Sequence, residues 1–317
     1  MEQRADAIVI SGKTVAGGIE RQVAEEASQI SVSSGAPPGL AVVMVGDDPA
    51  SQLYVRKKAE KARQLGIRAQ DHLLPFDCSL KELTALIDRL NDDDCVHGIL
   101  VQLPLPLHIP ADAVLECIRP DKDVDGFHPV NRGLLAAGLS GRALIPCTPL
   151  GSLILLRSVL GSLSGLDAVV VGRSNIVGKP MAQLLLQADC TVTMVHSRSR
   201  NMPEQCRRGD ILVAAVGKAH FIRGDWLKEG ATVIDVGINR AYRQDNSWSV
   251  IGDVMFAEAL PRVKAITPVP GGVGPMTIAC LLANTVTAAQ RHLGRPTFDW
   301  FSFDGAAGSP QAKAPTP

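Results

Sequence analysis

The sequence predicts an α/β protein in two domains, each built on a parallel sheet, and three observations carry that prediction. Short apolar runs bounded by glycine or proline alternate with segments of helical spacing along most of the chain. The 317 residues give enough length for two domains, each with a sizeable core. A hydrophobic fraction of 46% with 20% charged residues describes a folded globular chain rather than a disordered one.

Taken in order, a short opening strand precedes helical spacing over residues 14–30, and "GLAVVMVG" (39–46) is a buried strand, being short, apolar and bounded by glycines. Residues 51–65 return to a helical pattern, and "GIRAQDHLL" is a strand. "SLKELTALIDRLND" is a helix opened by Ser79, and "VHGILVQLPLP" is a strand ended by prolines. A second set starts near Pro149 with the helix "LGSLILLRSVLG", the strand "DAVVVG", the helix "GKPMAQLLLQAD" and the strands "TVTMVHS", "DILVAAVG" and "TVIDVGIN". This is a nucleotide-binding half of the doubly wound kind. The last helix, 277–294, has an amphipathic stripe suited to packing back on the first domain, which would make that domain discontinuous.

Lys plus Arg equals Asp plus Glu at 32 each, so no overall field recruits nucleic acid or an anionic membrane. The seven cysteines are scattered and contain no C-x-x-C pair, which argues against a disulfide framework and a zinc knuckle. They read as buried thiols of a reducing cytoplasm, and no metal site is expected. The N-terminal residues carry charges and no long apolar stretch, so neither a signal peptide nor a membrane helix is expected there. The small, polar, proline-rich residues 303–317 are expected to be a disordered tail.

"GRSNIVGKP" (172–180) joins a strand to a helix, where backbone N–H groups and the positive helix terminus hold a pyrophosphate. Gly172 ends the strand and Gly178 permits close approach, while Arg173 and Ser174 add a cation and a hydroxyl beside a phosphate. An NAD enzyme usually places an acid at the end of the next strand for the ribose 2′-hydroxyl. Here that end reads "HSRSR". Ser197, Arg198 and Arg173 could instead surround a 2′-phosphate, which favours NADP. A purely structural glycine turn is the plain alternative for the loop by itself.

Other polar clusters need the same weighing. In "SQLYVRKKAEKA", Tyr54 and Lys58 are four apart and share a helix face, although a solvated basic helix is the ordinary reading of such a run. Gln102 is an amide inside an apolar strand just before a proline break, where open parallel sheets bind ligands. Asp123 and Asp125 flank a turn in "PDKDVDGFHPVN", which lacks the remaining carboxylates of a calcium loop. "ITPVPGGVGPMT" is either a tight connector or a backbone clamp on a flat ligand.

Together these stretches resemble one family, the bifunctional methylenetetrahydrofolate dehydrogenase/cyclohydrolases of the bacterial type. "YVRKK", "VQLPLP", "KDVDGFHP", "PCTP", "GRSNIVGKP", "GDI", "DVGIN", "GDV" and "PVPGGVGPMT" occur in the family's order, from about residue 5 to about 294. The resemblance implies an N-terminal α/β folate-binding catalytic domain (1–148, completed by a C-terminal helix in 277–302), a Rossmann-type NADP-binding domain (149–276), and a cleft between them. It implies oxidation of 5,10-methylenetetrahydrofolate with NADP, then hydrolysis of the methenyl product to 10-formyltetrahydrofolate. It also implies a homodimer through the nucleotide-binding domains.

Carried over by motif, Lys58 is the catalytic lysine, Tyr54 lines the folate, Gln102 bonds near the lysine and Asp125 holds the pterin. Val55, Arg56 and Lys57 accompany them in the helix. Val101 and Leu103 flank Gln102 in the cleft, and Pro270, Gly271, Gly272, Val273 and Gly274 complete it. Gly172, Arg173, Ser174, Ile176, Ser197, Arg198, Ile238 and Thr148 fall at the family's cofactor positions.

The chemistry can be argued separately. Hydride loss from the one-carbon bridge needs chiefly alignment, whereas water attack on the resulting cation needs a base. A lysine desolvated beside an amide and a cationic ligand can supply one. Two rivals share the fold: an NADP-dependent dehydrogenase of a small hydroxy acid, and a non-catalytic dinucleotide-sensing module. The first has no use for the glycine-rich clamp, and the second has none for Tyr54, Lys58, Gln102 and Asp125 together.

Overall fold

The computed structural model describes residues 7–242 and 248–303; the tail from 304 onward lies outside the described residues. The chain opens with β1 (Ile8–Val9) and α1 (Gly12–Ser34). Ser11 caps α1 by accepting the Thr14 N–H, and Gly35 ends it at φ +76°, a left-handed conformation that glycine takes without a Cβ penalty. β2 (Gly39–Val45), α2 (Pro49–Gln64), β3 (Arg68–Leu74), α3 (Leu80–Asp92) and β4 (Gly98–Val101) follow. Ser79 opens α3 in a reciprocal box with Glu82, each side chain accepting the other's backbone N–H. The three strands form a parallel sheet in the order β3-β2-β4. β2 is central and buried along its whole length, which explains its unbroken apolar run, while polar β3 forms an edge.

Two short helices that periodicity does not reveal, α4 (Ala111–Cys117) and α5 (Pro129–Ala136), lead to α6 (Cys147–Leu160). The second set is β5 (Asp167–Val171), α7 (Gly178–Gln187), β6 (Thr191–Val195), α8 (Met202–Cys206), β7 (Ile211–Ala214) and β8 (Thr232–Asp235). An antiparallel hairpin of β9 (Asn239–Tyr242) and β10 (Trp248–Ile251) comes next, then α9 (Phe256–Ala259), β11 (Ala265–Ile266) and α10 (Val273–His292).

The second sheet is parallel throughout, in the order β1-β11-β8-β7-β5-β6. The opening strand β1 thus joins this sheet, pairing Ile8 with Ala265 and Val9 with Ile266. From β5 the chain runs outward to β6 and then returns to β7 on the other side, which opens a crevice beyond the carboxyl end of β5. The carboxyl ends of β5, β6, β7, β8 and β11 share that edge.

Helix α10 lies between α1 and α6 and also touches β2 and β4. It begins at Val273 rather than Thr277, because Gly274 and Pro275 fall in its first turn, where a missing proline N–H costs no helix bond. One apolar cluster around α6 and α10 includes Ile19, Leu40, Leu153, Val170 and Leu282, so both sheets share a core. Cys95 and Cys117 depart from the expectation of buried thiols: Cys95 is exposed, in the turn between α3 and β4, and Cys117, at the end of α4, is half-buried. Among the described residues, no helix is long and apolar enough to cross a membrane.

Candidate active site

Helix α2 carries Tyr54 and Lys58 on neighbouring turns of one face. Lys58 is only 4% exposed. Its Nζ donates to Gln102 Oε1 at 3.1 Å and lies 4.7 Å from the centroid of the Tyr54 ring. Gln102 leaves β4 with its N–H on Val43 O at 2.8 Å, and its Nε2 donates to Leu103 O at 2.6 Å. The amide is therefore held at both ends, with its oxygen committed to the lysine.

Asp125 is brought to the same place by a loop with few degrees of freedom. Buried Asp123 accepts from the Phe127 and His128 N–H groups at 3.1 and 2.8 Å and from Asn131 Nδ2 at 2.9 Å. Lys122, also buried, donates to three carbonyls at the end of α3, those of Leu90, Asn91 and Asp93. Gly126 sits at φ +73°, and a Cβ there would come within 2.5 Å of Pro146 N, so the turn requires glycine. Asn284 of α10 donates to Val124 O and Ile145 O, both at 2.8 Å, and Cys147 Sγ donates to Val124 O at 3.2 Å.

Electrostatics at this cluster favours neutral forms. Burial pulls the Lys58 ammonium below its ordinary value, against the attraction of Asp125. Burial pushes the Asp125 carboxyl up to about 6, with Lys58 drawing it back down. The Cys147 thiol and the Tyr54 phenol are raised, again chiefly by burial. Cys147, Asn131 and Asn284 are supporting groups that sequence reasoning missed, and Asp123, read there only as a turn residue, is a fourth. Asn284 and Cys147 bond backbone far away in sequence, which no local pattern announces.

A cavity of about 640 Å³ opens beside this cluster. Tyr54 and Lys57 of α2, Lys13 of α1, the segment from Pro268 to Pro275, and Ile238 and Val250 of the hairpin region line it. Tyr54 joins the two regions, since its ring lines the cavity and also faces Lys58. Lys58, Gln102 and Asp125 stand next to this cavity rather than in its lining, and Val55, Arg56, Val101 and Leu103 also fall outside it. Val55 and Val101 are buried in the core, Arg56 is exposed, and Leu103 is half-buried behind Gln102. Val273 and Gly274 line the cavity from the first turn of α10 rather than from a loop.

The crevice at β5 is built for close approach. Gly172 has φ +129°, and a Cβ there would meet Ala215 O at 2.2 Å; one on Gly178 would meet Gly172 O at 2.4 Å. Ser174 Oγ accepts from the Val177 and Gly178 N–H groups, both at 3.2 Å, so the hydroxyl closes the turn that leads into α7 and keeps its own proton for another acceptor. Arg173, Ser197 and Arg198 are exposed at the ends of paired strands β5 and β6, and Ile176 is half-buried. Thr148 Oγ1 meets Thr277 Oγ1 at 3.0 Å, tying α6 to α10.

Two further carboxylates shape the same edge. Asp253, wholly buried, accepts from the Val216, Gly217 and Lys218 N–H groups at 2.7–2.9 Å and from Asn239 Nδ2 at 2.8 Å. Asp235 accepts from the Gly237, Asp253 and Val254 N–H groups, and burial lifts its carboxyl to about 6. A glycine cradle, a helix start with no side-chain cap and exposed cations just past two paired strands suit a phosphorylated dinucleotide.

Two family models match the chain: the catalytic domain of tetrahydrofolate dehydrogenase/cyclohydrolase over residues 10–125, and its NAD(P)-binding domain over residues 146–293. The chain belongs to the tetrahydrofolate dehydrogenase/cyclohydrolase family. Among curated members, bifunctional protein FolD 2 of Paracoccus denitrificans is 58% identical over 305 residues, covering 96% of this chain and 100% of that protein. The bifunctional protein FolD of a Caulobacter strain is 56% identical over 293 residues, covering 90% and 98%. Among solved structures, the bifunctional enzyme of Campylobacter jejuni has a TM-score of 0.85 at 46% identity, covering 90% of this chain and 99% of that one. The Trypanosoma brucei dehydrogenase-cyclohydrolase, solved with NADP and an inhibitor, has a TM-score of 0.86 at 39% identity, covering 92% and 99%.

Proposed function

We propose that this chain oxidises 5,10-methylenetetrahydrofolate to the methenyl form with NADP and hydrolyses that product to 10-formyltetrahydrofolate, both beside Lys58. The observation that carries the reading is a buried lysine whose Nζ is held 3.1 Å from an amide oxygen and whose ammonium form is disfavoured by burial. A lysine on a solvated basic helix face would have neither property.

When bound, NADP supplies the hydride acceptor. The residues around the crevice then act mainly by alignment. Gly172 and Gly178 admit the pyrophosphate, while Arg173, Ser197 and Arg198 meet the 2′-phosphate. The Asp125 carboxylate accepts from the pterin's N–H edge, and the Tyr54 ring and the Gly271–Gly272 backbone lie against the flat ligand.

In the second step a water oxygen bonds to the cationic methenyl carbon, and the neutral Lys58 amine takes the proton that this water gives up. The carbon–N5 bond then breaks, and N5 receives a proton from Lys58 as the carbinol becomes a formyl group on N10. One proton is released overall. Gln102 holds the amine on the line of attack throughout.

A rate comparison tests this reading against the hydroxy-acid alternative. NADPH should form with methylenetetrahydrofolate and not with small 2-hydroxy acids; the reverse would overturn it. The homodimer through the nucleotide-binding units is part of the same proposal, and sedimentation at twice the 33.6 kDa chain mass is its check.

A further inference from the structure

Helix α2 carries the reacting lysine, yet its first turns are weakly held. Gln52 and Leu53 are exposed and Ser51 and Tyr54 only half-buried, and the apolar groups that anchor the rest are Val55, Ala59 and Ala62. Something outside α2 has to set the angle at which Tyr54 and Lys58 enter the cleft.

The hairpin of β9 and β10 supplies a contact at that point. Arg240 pairs directly with Val250 across the two strands, so the two side chains share a face, and Val250 lines the cavity. Trp248, two residues before Val250, lies on that face as well, and the Arg240 guanidinium stands 5.6 Å from its ring centroid. Arg240 Nη2 reaches Asp48 Oδ2 at 3.6 Å. Asp48 is the N-cap of α2, accepting from the Ser51 N–H at 2.8 Å and from Ser51 Oγ at 2.9 Å.

The hairpin is itself fixed to the crevice. Asn239 Nδ2 donates to Asp253, the carboxylate that also holds the Val216–Lys218 backbone. A chain of contacts therefore runs from the cofactor edge through Asp253, Asn239 and Arg240 to Asp48 and the start of α2.

We infer that Arg240, steadied on Trp248, is a positioning residue for this reaction, drawing Asp48 and with it Tyr54 and Lys58 toward the cofactor side of the cleft. The inference rests on the proposed function. Arg240 touches no reacting atom in this account; it acts through α2.

The test is hydrolysis of methenyltetrahydrofolate supplied directly, without NADP, so that the readout isolates α2 from cofactor binding. Arg240→Gln and Asp48→Asn each remove the charge pair, and asparagine preserves the helix cap. Each should raise KM about fivefold, the upper end for an exposed pair. The double variant should be no worse than either single variant, and Arg240→Lys should recover most of the loss. High salt should bring the wild type toward the variants' KM while leaving theirs unmoved.

Effects that add in the double variant, or an unchanged KM in both single variants, would overturn the inference. So would a loss of NADP affinity in Arg240→Gln that Asp48→Asn does not share. A wild-type protein that hydrolyses normally beside indifferent variants sinks only the clasp, whereas a wild type with no hydrolysis sinks the functional reading itself.

Discussion

Lys58→Met removes one ammonium group and keeps an unbranched side chain of similar length and good helix propensity in a site that is 4% exposed. Positioned proton transfer contributes about 10²- to 10⁴-fold to a rate, so hydrolysis of the methenyl compound should fall at least about 100-fold. Hydride transfer depends on alignment and should largely persist. Absorbance of NADPH and of methenyltetrahydrofolate, followed together, should therefore show the methenyl compound accumulating in the variant and passing onward in the wild type.

Stability supplies the control for that variant. The folded-state pKa of Lys58 lies below its unfolded value of 10.5. The cost of burying the charge is thus full below the folded value, shrinks through the window between the two, and is gone above 10.5. At neutral pH methionine removes this cost while losing the bond to Gln102, so the melting temperature should be no lower than that of the wild type. Unchanged hydrolysis would refute the role of Lys58, and lost hydrolysis with a collapsed melting temperature would make the effect structural.

Four further outcomes follow from the geometry. Arg173→Ala should erode the preference for NADP over NAD by about tenfold or more, as expected for a charge-assisted contact to the 2′-phosphate, measured as a ratio of kcat/KM values. Gly172→Ala places a Cβ 2.2 Å from Ala215 O at φ +129° and should abolish cofactor binding in a titration of intrinsic fluorescence. Asn284→Ala strips Val124 O and Ile145 O of their buried donor and should cost about 2 kcal/mol or more in urea unfolding, with weaker folate binding as the Asp125 loop loosens. Because burial pushes the Asp125 carboxyl up to about 6, KM for folate should rise as pH falls through that region and the acceptor is protonated, and Asp125→Asn should flatten the profile.

Much of this fold is written locally. "GLAVVMVG" is a strand buried on both faces because nothing polar interrupts it, and Ser79 with Glu82 marks the start of α3 by bonds that span three residues. The Tyr54–Lys58 spacing places both on one helix face before any partner is known. What stays hidden is set by distant parts of the chain. Lys58 meets Gln102 across 44 positions, and nothing in either segment announces the other. Two-residue β1 carries too little pattern to reveal that it pairs with β11 near the far end of the chain. Asn284 looks like a polar blemish in an apolar helix until its two carbonyl partners are seen, and the α2-to-hairpin contact joins two exposed charges of no distinctive motif.

A crystal structure with NADP and a folate analogue bound together tests the central claim most directly. The account predicts the analogue's one-carbon position within hydrogen-bonding reach of Lys58 Nζ, directly or through one water, with the nicotinamide on the opposite face of the bridge and Asp125 on the pterin edge. An ammonium group turned to bulk solvent and clear of both molecules would contradict it.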